Sequence, residues 1–519
     1  MSKDYDVLII GSGFGGTMTA KKLIDTGLRV AILERGDWVK RGPQNWATEG
    51  SIDLTPQYDK TVPYNVIKGG NKPKMGVYSA VGGPSLFYGG VSFRFREDDF
   101  NPPADIVTDS GAEWPINYHD LEPYYTEAEA LLNIAGDDGA DPTAPPRSVP
   151  YPQQPADYAD ISKKIKSSAE SLGCRPFHLP LAINYHDRSR QVCQLCTTCD
   201  TFTCAIGAKN DLEMMILRGM SENQVDIIPN AVVTKINQSN GTFTSVSYFD
   251  KTDGQVKTLN AKACVLSAGA LASPHILLNS ALDSVNPAGD LIGRYLMRHV
   301  NAIVFGIFTS PPDKQKRFHK ELAILDYYFG HEDIDYPKHK IGSLQQVPTP
   351  PSGLVKNEAP KPLGPIAASG VKLLTGLLAI AEDQPQYENQ ISIDKSNTQE
   401  YGLAKPIVSH AYTERDQKAV RALTEQAKKI MKKSGALINY VHHIKTFSHS
   451  AGTVRMGKDP STSPLDKDCR FRGVDNLYVV DACFMPSSAA VNPSLTISAN
   501  ALRVGEVIAK SHNFANLES

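Results

Sequence analysis

The sequence predicts an α/β (α+β) fold with a discontinuous nucleotide-binding domain, and three segments predict it. DVLIIGSGFGGTMTAKKLIDTGLRVAILERGD, from Asp6, reads as strand, Gly-rich turn, helix, strand. ACVLSAGALASPHIL, from Ala263, repeats the order of buried run, small-residue turn and helix. NLYVVDACF, from Asn476, is an apolar strand that ends in an acid, Asp481.

In the first segment Val7 to Ile10 form a buried run, and Gly11-Ser12-Gly13-Phe14-Gly15-Gly16 opens a helix with Ala20, Leu23 and Ile24 on one face. Gly11 permits the tight turn, Gly13 lets backbone approach a pyrophosphate at the helix N-terminus, and Gly16 lets helix and strand pack closely. Glu34 ends the second strand, where a ribose hydroxyl needs an acceptor. The unit is Rossmann-like, and at this point NAD and FAD are both open. In the second segment Val265 and Leu266 lead into Ala268, Gly269 and Ala270, small enough for backbone to come close to a ligand. Asp481 stands where open α/β sheets collect ligands, although a carboxylate there also serves as a helix N-cap.

The 519 residues are too many for one ordinary core and should divide into domains. Lys and Arg number 54 against 56 Asp and Glu, a net charge of −2 with no like-charge block, so nucleic acid is not an expected partner. Eight cysteines are far below disulfide-scaffold density, and four of them crowd one loop. No apolar run reaches the roughly 18–20 residues that span a bilayer. The opening MSKDYDVLIIGSG has no basic, apolar and small-residue succession of a signal peptide, which sets the cytoplasm as the expected location, with export or membrane association through a partner subunit as the alternative.

Further segments narrow the cofactor. AVGGPSLFYGGVSFRF (80–95) resembles the Gly-rich flavin-contacting segment of the glucose-methanol-choline oxidoreductases, and EWPINYHDLEPYYTEAEALLNIAG (113–136) is similar to a signature of that family. CVLSAGALASPHILLNS (264–280) resembles its second signature, and HSAGTVRMG (449–457) with VVDACFMPSSAAVNPSLTISANALRVGEVI (479–508) its catalytic end. The matches run in family order from residue 5 to 508. The resemblance implies FAD, held by Gly11, Gly13, Phe14, Gly15, Gly16 and Glu34, by Gly82, Gly83, Ser85, Gly89 and Gly90, by Ala268 and Gly269, and by Asp481, Ala482, Pro493 and Ser494. AVGGPSLFYGG contains no His or Cys, so the covalent His-flavin link of some relatives has no attachment point and FAD should be dissociable.

The interleaving of these segments implies an FAD-binding domain from 1–100, 205–300 and 446–519, and a substrate domain from 101–204 and 301–445 built on an antiparallel sheet with helices. Two Pro-rich stretches, 136–155 and 345–365, lack a hydrophobic period and read as surface loops. The apolar segment 366–381 reads as a buried helix, with a substrate-entry lid or a membrane-surface contact as the sharper alternative.

Taking a hydride from a CH–OH carbon requires a base for the hydroxyl proton, and His suits that work with an ordinary pKa of about 6.5. Thirteen His leave the choice open from composition alone. The resemblance places the base at His449, in H-S-A-G-T, and the second catalytic position at Asn492, whose amide can hold the substrate oxygen. His299, in LMRHV, also fits a family position and is read as structural. The expected activity is FAD-dependent oxidation of an alcohol or sugar CH–OH group, with electrons passed to an acceptor protein, quinone or partner subunit. An oxygen-using oxidase, a non-redox FAD lyase and a flavin electron-transfer subunit are the competing readings.

QVCQLCTTCDTFTCAIGAK (191–209) spaces Cys193, Cys196, Cys199 and Cys204 as C-x2-C-x2-C-x4-C, within reach of one small centre. Two tight steps followed by a further Cys resemble ferredoxin-type ligation more than the paired knuckles of a zinc ribbon. Iron-sulfur dehydrogenases of the same family carry a Cys-rich loop before a Gly-Ala sequence, to which CAIGAK is similar although its spacing differs. An iron-sulfur cluster held by these four thiols is expected to pass electrons from the flavin to the acceptor, with two disulfides, zinc or free thiols as the alternatives. Cys174, Cys264, Cys469 and Cys483 read as buried small hydrophobes.

Overall fold

The computed structural model describes residues 5–46, 57–70, 72–221, 225–317, 320–331, 340–359 and 362–511. The outermost residues of the expected FAD-binding stretches, 1–4 and 512–519, lie outside the described residues. Among the described residues the strands form three sheets, the first of which contains β1 (Tyr5–Ile10), β2 (Val30–Leu33), β6 (Val225–Ile228), β7 (Ala231–Ser239), β8 (Thr242–Asp250), β9 (Gln255–Leu266) and β17 (Leu477–Val479), in the order β6-β2-β1-β9-β8-β7 with β17 also on β9. β6, β2, β1, β9 and β17 are parallel, so the chain leaves β1, β2, β9 and β17 at one end of the sheet. That common exit brings the three segments singled out in the sequence to one crevice.

β9 does two jobs, and its sequence divides accordingly. QVKTLN pairs antiparallel with β8 at the surface, whereas ACVL pairs parallel with β1 on one side and β17 on the other and is buried throughout. The switch from alternation to a continuous apolar run marks where the strand becomes covered on both faces. α1 (Phe14–Leu23) follows β1, and the C-terminal helix Ser494–Ser511 packs against it.

The second sheet holds β5 (Phe177–His178), β10 (Val300–Ile307), β11 (Leu322–Ile324), β12 (Gly342–Val347), β13 (Leu374–Ala381) and β16 (Ile438–His443), in the order β16-β10-β13-β12-β11-β5. Every pairing is antiparallel. The helix Glu414–Lys433, opened by a Thr413 capping box, lays Val420, Leu423, Ala427, Ile430 and Met431 on this sheet. In the third sheet, β14 (Gln390–Thr398) and β15 (Ala404–Ser409) pair with β3 (Tyr58–Lys68) and β4 (Lys74–Tyr78), joining chain from both sides of the expected division.

Two expectations for the middle of the chain are corrected. The segment 366–381 is not one buried helix: a helix ends at Gly370, and Leu374–Ala381 is the central strand β13. Leu377, Ala379 and Ala381 face the 414–433 helix, while Leu378 and Ile380 pack with Phe305 and Val347 on the other face. Burial on both faces removes the alternation that distinguishes a strand from a buried helix. The stretch 345–365 is not all loop, since Gln345–Val347 end β12 and Ser352–Glu358 form a helix.

Candidate active site

The crevice starts at Gly11, whose φ is +96°. Gly11 sits against the Ser267 carbonyl, where a Cβ would come within 2.3 Å, and a Cβ on Gly16 would come within 2.0 Å of the Gly11 oxygen. Gly15 is pressed against Val480 in the same way. These three glycines therefore serve packing. Gly13 differs, because a Cβ there would meet no atom within 4 Å. As N-cap of α1 it also offers no side chain to the first amides of the helix, leaving them for an anion.

Glu34 stands at the exit of β2 with two fixed oxygens. Oε2 accepts from the Ser12 amide at 3.0 Å and from the Ser12 hydroxyl at 2.6 Å, and Oε1 accepts from Gly36 N at 2.9 Å. Ser12 Oγ in turn accepts from the Gly82 amide at 2.9 Å, tying the second Gly-rich segment to the first. Gly83 faces Gly13, and the Phe14 ring meets Tyr88 edge-on at 5.4 Å. Ser85 turns inward, donating to Gly82 O and accepting from Leu212 N. The Gly90 carbonyl is taken by Ala182 N and Ser92 Oγ.

On the far wall, Ala268 and Gly269 are half-exposed in the crevice. Asp481 is an N-cap as well as a crevice residue: its carboxylate accepts from Cys483 N, Gly269 N and the Ser273 hydroxyl. Burial pushes its pKa up against those hydrogen bonds. Pro493 and Ser494 start the C-terminal helix, with Ser494 Oγ donating to Val91 O. Ser267 Oγ is buried and has no partner among the described residues, though a Cβ on Gly15 would touch it. An uncapped helix N-terminus, an orphaned hydroxyl and an acid at the end of β2 fit the phosphates and ribose of a dinucleotide.

The segment after His449 is fastened to this wall. Gly452 N donates to Ala482 O at 3.0 Å, and Thr453 Oγ1 donates to Ala270 O at 2.8 Å. The His449 ring, largely buried, has Asn492 Nδ2 3.5 Å from its Nε2 and His299 Nδ1 3.1 Å from its Nδ1. Asn492 is oriented by Gln345, whose Nε2 donates to Asn492 Oδ1 at 2.8 Å. Withdrawal from solvent, then His299 and Lys320, push His449 down to about 3, so it is neutral at physiological pH. Lys320 pairs with Asp200 at 2.6 Å beside Gly89.

The structure thus brings His449 and Asn492 together. It also brings in Ser12 and Gln345, which the sequence did not single out, and puts His299, read from the sequence as structural, in direct contact with the His449 ring. Ser12 occupied the variable position of G-x-G, and Gln345 lies on a strand without any motif.

Cys193, Cys196, Cys199 and Cys204 line one cavity of about 30 Å³ together with Tyr185 and Lys209. Cys193 Sγ accepts from Leu195 N and Cys204 Sγ from Ala208 N. Burial pushes Cys193 up to about 11 and Cys199 higher still. All eight cysteines are unbridged, and Cys174, Cys264, Cys469 and Cys483 are buried, as expected of small hydrophobes. Among the described residues no three His, Cys, Asp or Glu side chains are arranged to hold a metal ion, so the expected cysteine ligand set is not preformed. No described helix is long and apolar enough to cross a membrane.

Comparison with known proteins agrees with this geometry. Paromamine 6'-oxidase of Streptomyces fradiae is 28% identical over 97% of this chain and 91% of its own length. The fructose dehydrogenase large subunit of Gluconobacter japonicus is 27% identical over 97% of both chains. An FAD-dependent oxidoreductase from Chaetomium thermophilum shares the fold at TM-score 0.68 and 17% identity, over 98% of this chain and all of its own. GMC oxidoreductase models match residues 5–301 and 385–501, and with the FAD-type crevice and the paired His449 and Asn492 the chain belongs to the FAD-dependent GMC oxidoreductases.

Proposed function

We propose that this chain oxidises the CH–OH group of an alcohol or sugar, with His449 as the general base. The observation that carries the reading is the His449 ring with Asn492 at its Nε2, in a segment fastened to the wall of the FAD crevice. Bound FAD supplies the hydride acceptor. The residues do the rest. His449 Nε2 takes the hydroxyl proton, so an O–H bond breaks as an N–H bond forms. Asn492 offers its amide N–H to the same oxygen as negative charge develops there.

The substrate class is supported by a second group in the site. Gln345 Oε1 is buried without a partner among the described residues, an acceptor suited to a further hydroxyl of a polyol or sugar. The named activities of the relatives, on paromamine and on fructose, point to the same class. Anaerobic mixing with candidate alcohols and sugars tests the reading. Loss of the flavin band near 450 nm is expected, and a flavin that stays yellow through the whole panel would leave the lyase reading.

Electrons then leave for an external acceptor, a protein, a quinone or a partner subunit, rather than mainly for oxygen. We assign an iron-sulfur cluster to the four-thiol cavity, supported by four sulfurs on one cavity and by Tyr88, whose ring meets Phe14 of the crevice and whose carbonyl shares the Lys209 ammonium with the Cys199 carbonyl. The side chains as they stand form no ligand set, so substrate oxidation is derived without them. Unbridged cysteines suit a reducing compartment, which supports the cytoplasm as the location.

A further inference from the structure

His299 was read from the sequence as structural, yet it is the group that touches the base from behind. Its ring is buried, and it meets the His449 ring at 80° with centroids 5.1 Å apart. One nitrogen, Nε2, lies 3.0 Å from the Ser488 carbonyl, and the other, Nδ1, lies 3.1 Å from His449 Nδ1. A carbonyl oxygen can only accept, so His299 Nε2 carries a proton. In a neutral ring the other nitrogen is then an acceptor. Burial keeps His299 neutral in spite of Asp383 nearby.

The consequence passes to the next ring. Two acceptors cannot face each other at 3.1 Å, so His449 must donate from Nδ1. Its Nε2 then holds a lone pair, and that lone pair faces Asn492. The other end of the chain agrees. Gln345 Nε2 donates to Asn492 Oδ1, which turns Asn492 Nδ2, a donor, toward His449 Nε2. The carbonyl of Ser488 sets the proton placement, and the Gln345 end is arranged to match it, through Asn492, His449 and His299.

We infer that His299 is a positioning residue, which holds His449 in its Nδ1–H tautomer and so keeps the Nε2 lone pair on the substrate side. The inference rests on the assignment of His449 as base. The backbone supports the arrangement. His299 has a φ of +59°, and its amide donates to Asp383 Oδ1 at 3.1 Å while its carbonyl accepts from Tyr412 Oη at 2.7 Å. Ser488 Oγ donates to the same Asp383 oxygen at 3.0 Å. One carboxylate thus fixes both His299 and the residue whose carbonyl sets its tautomer. A left-handed conformation is costly for a residue other than Gly, and here hydrogen bonds on the two peptide units that flank the His299 Cα hold it.

The test begins with the FAD-loaded wild-type enzyme, labelled with ¹⁵N at histidine. His449, assigned by the signals missing from His449→Gln, is expected as the Nδ1–H tautomer and His299 as Nε2–H. A protonated Nε2 on His449 would overturn the inference. His299→Phe keeps a ring but removes the acceptor. The His449 tautomer signature should be lost, and flavin reduction should slow by about 10²-fold, part of what a general base contributes, with KM little changed. His299→Asn, tolerated at positive φ, returns a carbonyl acceptor to Nδ1 and should recover about tenfold of that loss. An unchanged tautomer and rate in His299→Phe, with flavin retained, would also overturn it. Unchanged flavin reduction in His449→Ala would instead remove the base assignment, leaving the tautomer measurement to stand by itself.

Discussion

Ser12 and Glu34 are joined twice, once through the Ser12 amide and once through its hydroxyl, and both bonds end on Glu34 Oε2. The same hydroxyl accepts from Gly82, so one side chain sets the distance between the acid of β2 and the two Gly-rich turns. Hydrogen bonds to charged groups contribute about 1.5–3 kcal/mol. Ser12→Ala should therefore raise the FAD dissociation constant about tenfold or more, since each 1.4 kcal/mol is a factor of ten. Fluorescence titration of the apoprotein checks this, and an unchanged constant would show that the Ser12 hydroxyl does not organise the crevice.

The glycines of the first turn should separate into two kinds. Gly13→Ala meets no protein atom, so the variant should fold and purify soluble but colourless, the added methyl acting only on the pyrophosphate. Gly16→Ala meets the Gly11 carbonyl at 2.0 Å and should lose stability outright, by about 1–3 kcal/mol or more from overpacking. Circular dichroism melting with flavin absorbance distinguishes the two. A Gly13→Ala protein that keeps its full flavin would remove the role given to that position.

Much of this crevice was legible because its logic is local. Glycines, an acid at a fixed distance and an apolar run before each turn lie within some thirty residues of one another, and their spacing alone implies the backbone geometry. The partnership of His449 and Asn492 came from the resemblance, not from any local pattern. What stayed hidden depends on distant contacts. Gln345 orients Asn492 from β12, and His299 meets His449 across 150 positions of sequence. The strand β13 was misread because a run buried on both faces has no period to reveal its conformation.

His449→Ala and Asn492→Ala should keep FAD and slow substrate-driven flavin reduction, by about 10²–10⁴ for the base. The ring is pushed down to about 3 and so is already deprotonated at neutral pH. Lowering the pH from 7 to 5 should accordingly leave single-turnover reduction nearly unchanged, because the base takes up a proton only well below that range. A rate that falls through the ordinary His value of about 6.5 would contradict this placement of His449.

Acid should destabilise the fold through a different histidine. His275 is buried, with Nε2 2.7 Å from the Ala404 carbonyl, and burial lowers its pKa to about 4. The unfolded chain protonates this ring near 6.5 and the folded chain near 4, so the unfolded state binds the extra proton in between. His275 therefore costs nothing above that window, and its contribution to stability falls by about 1.4 kcal/mol per unit as the pH drops through it. His275→Gln should flatten that part of the pH dependence in urea unfolding, and an identical slope in wild type and variant would refute it.

The four-thiol cavity yields the last prediction, and the thiol count is what makes it decisive. With all eight cysteines unbridged, the denatured, metal-stripped protein should titrate eight thiols, whereas two disulfides in the loop would leave four. If a cluster occupies the cavity, protein prepared without air carries iron and acid-labile sulfide. Cys199→Ser should then lower the iron content about tenfold or more, given that even the outer partners of metal ligands are worth about 10–100-fold in affinity. Substrate should still bleach the flavin in that variant at the wild-type rate, because His449 and Asn492 are untouched. Zinc would give stoichiometric metal without colour. Eight thiols with neither iron nor zinc, in protein whose flavin is fully loaded, would leave the loop a set of free thiols and remove the ground for preferring an external acceptor to oxygen.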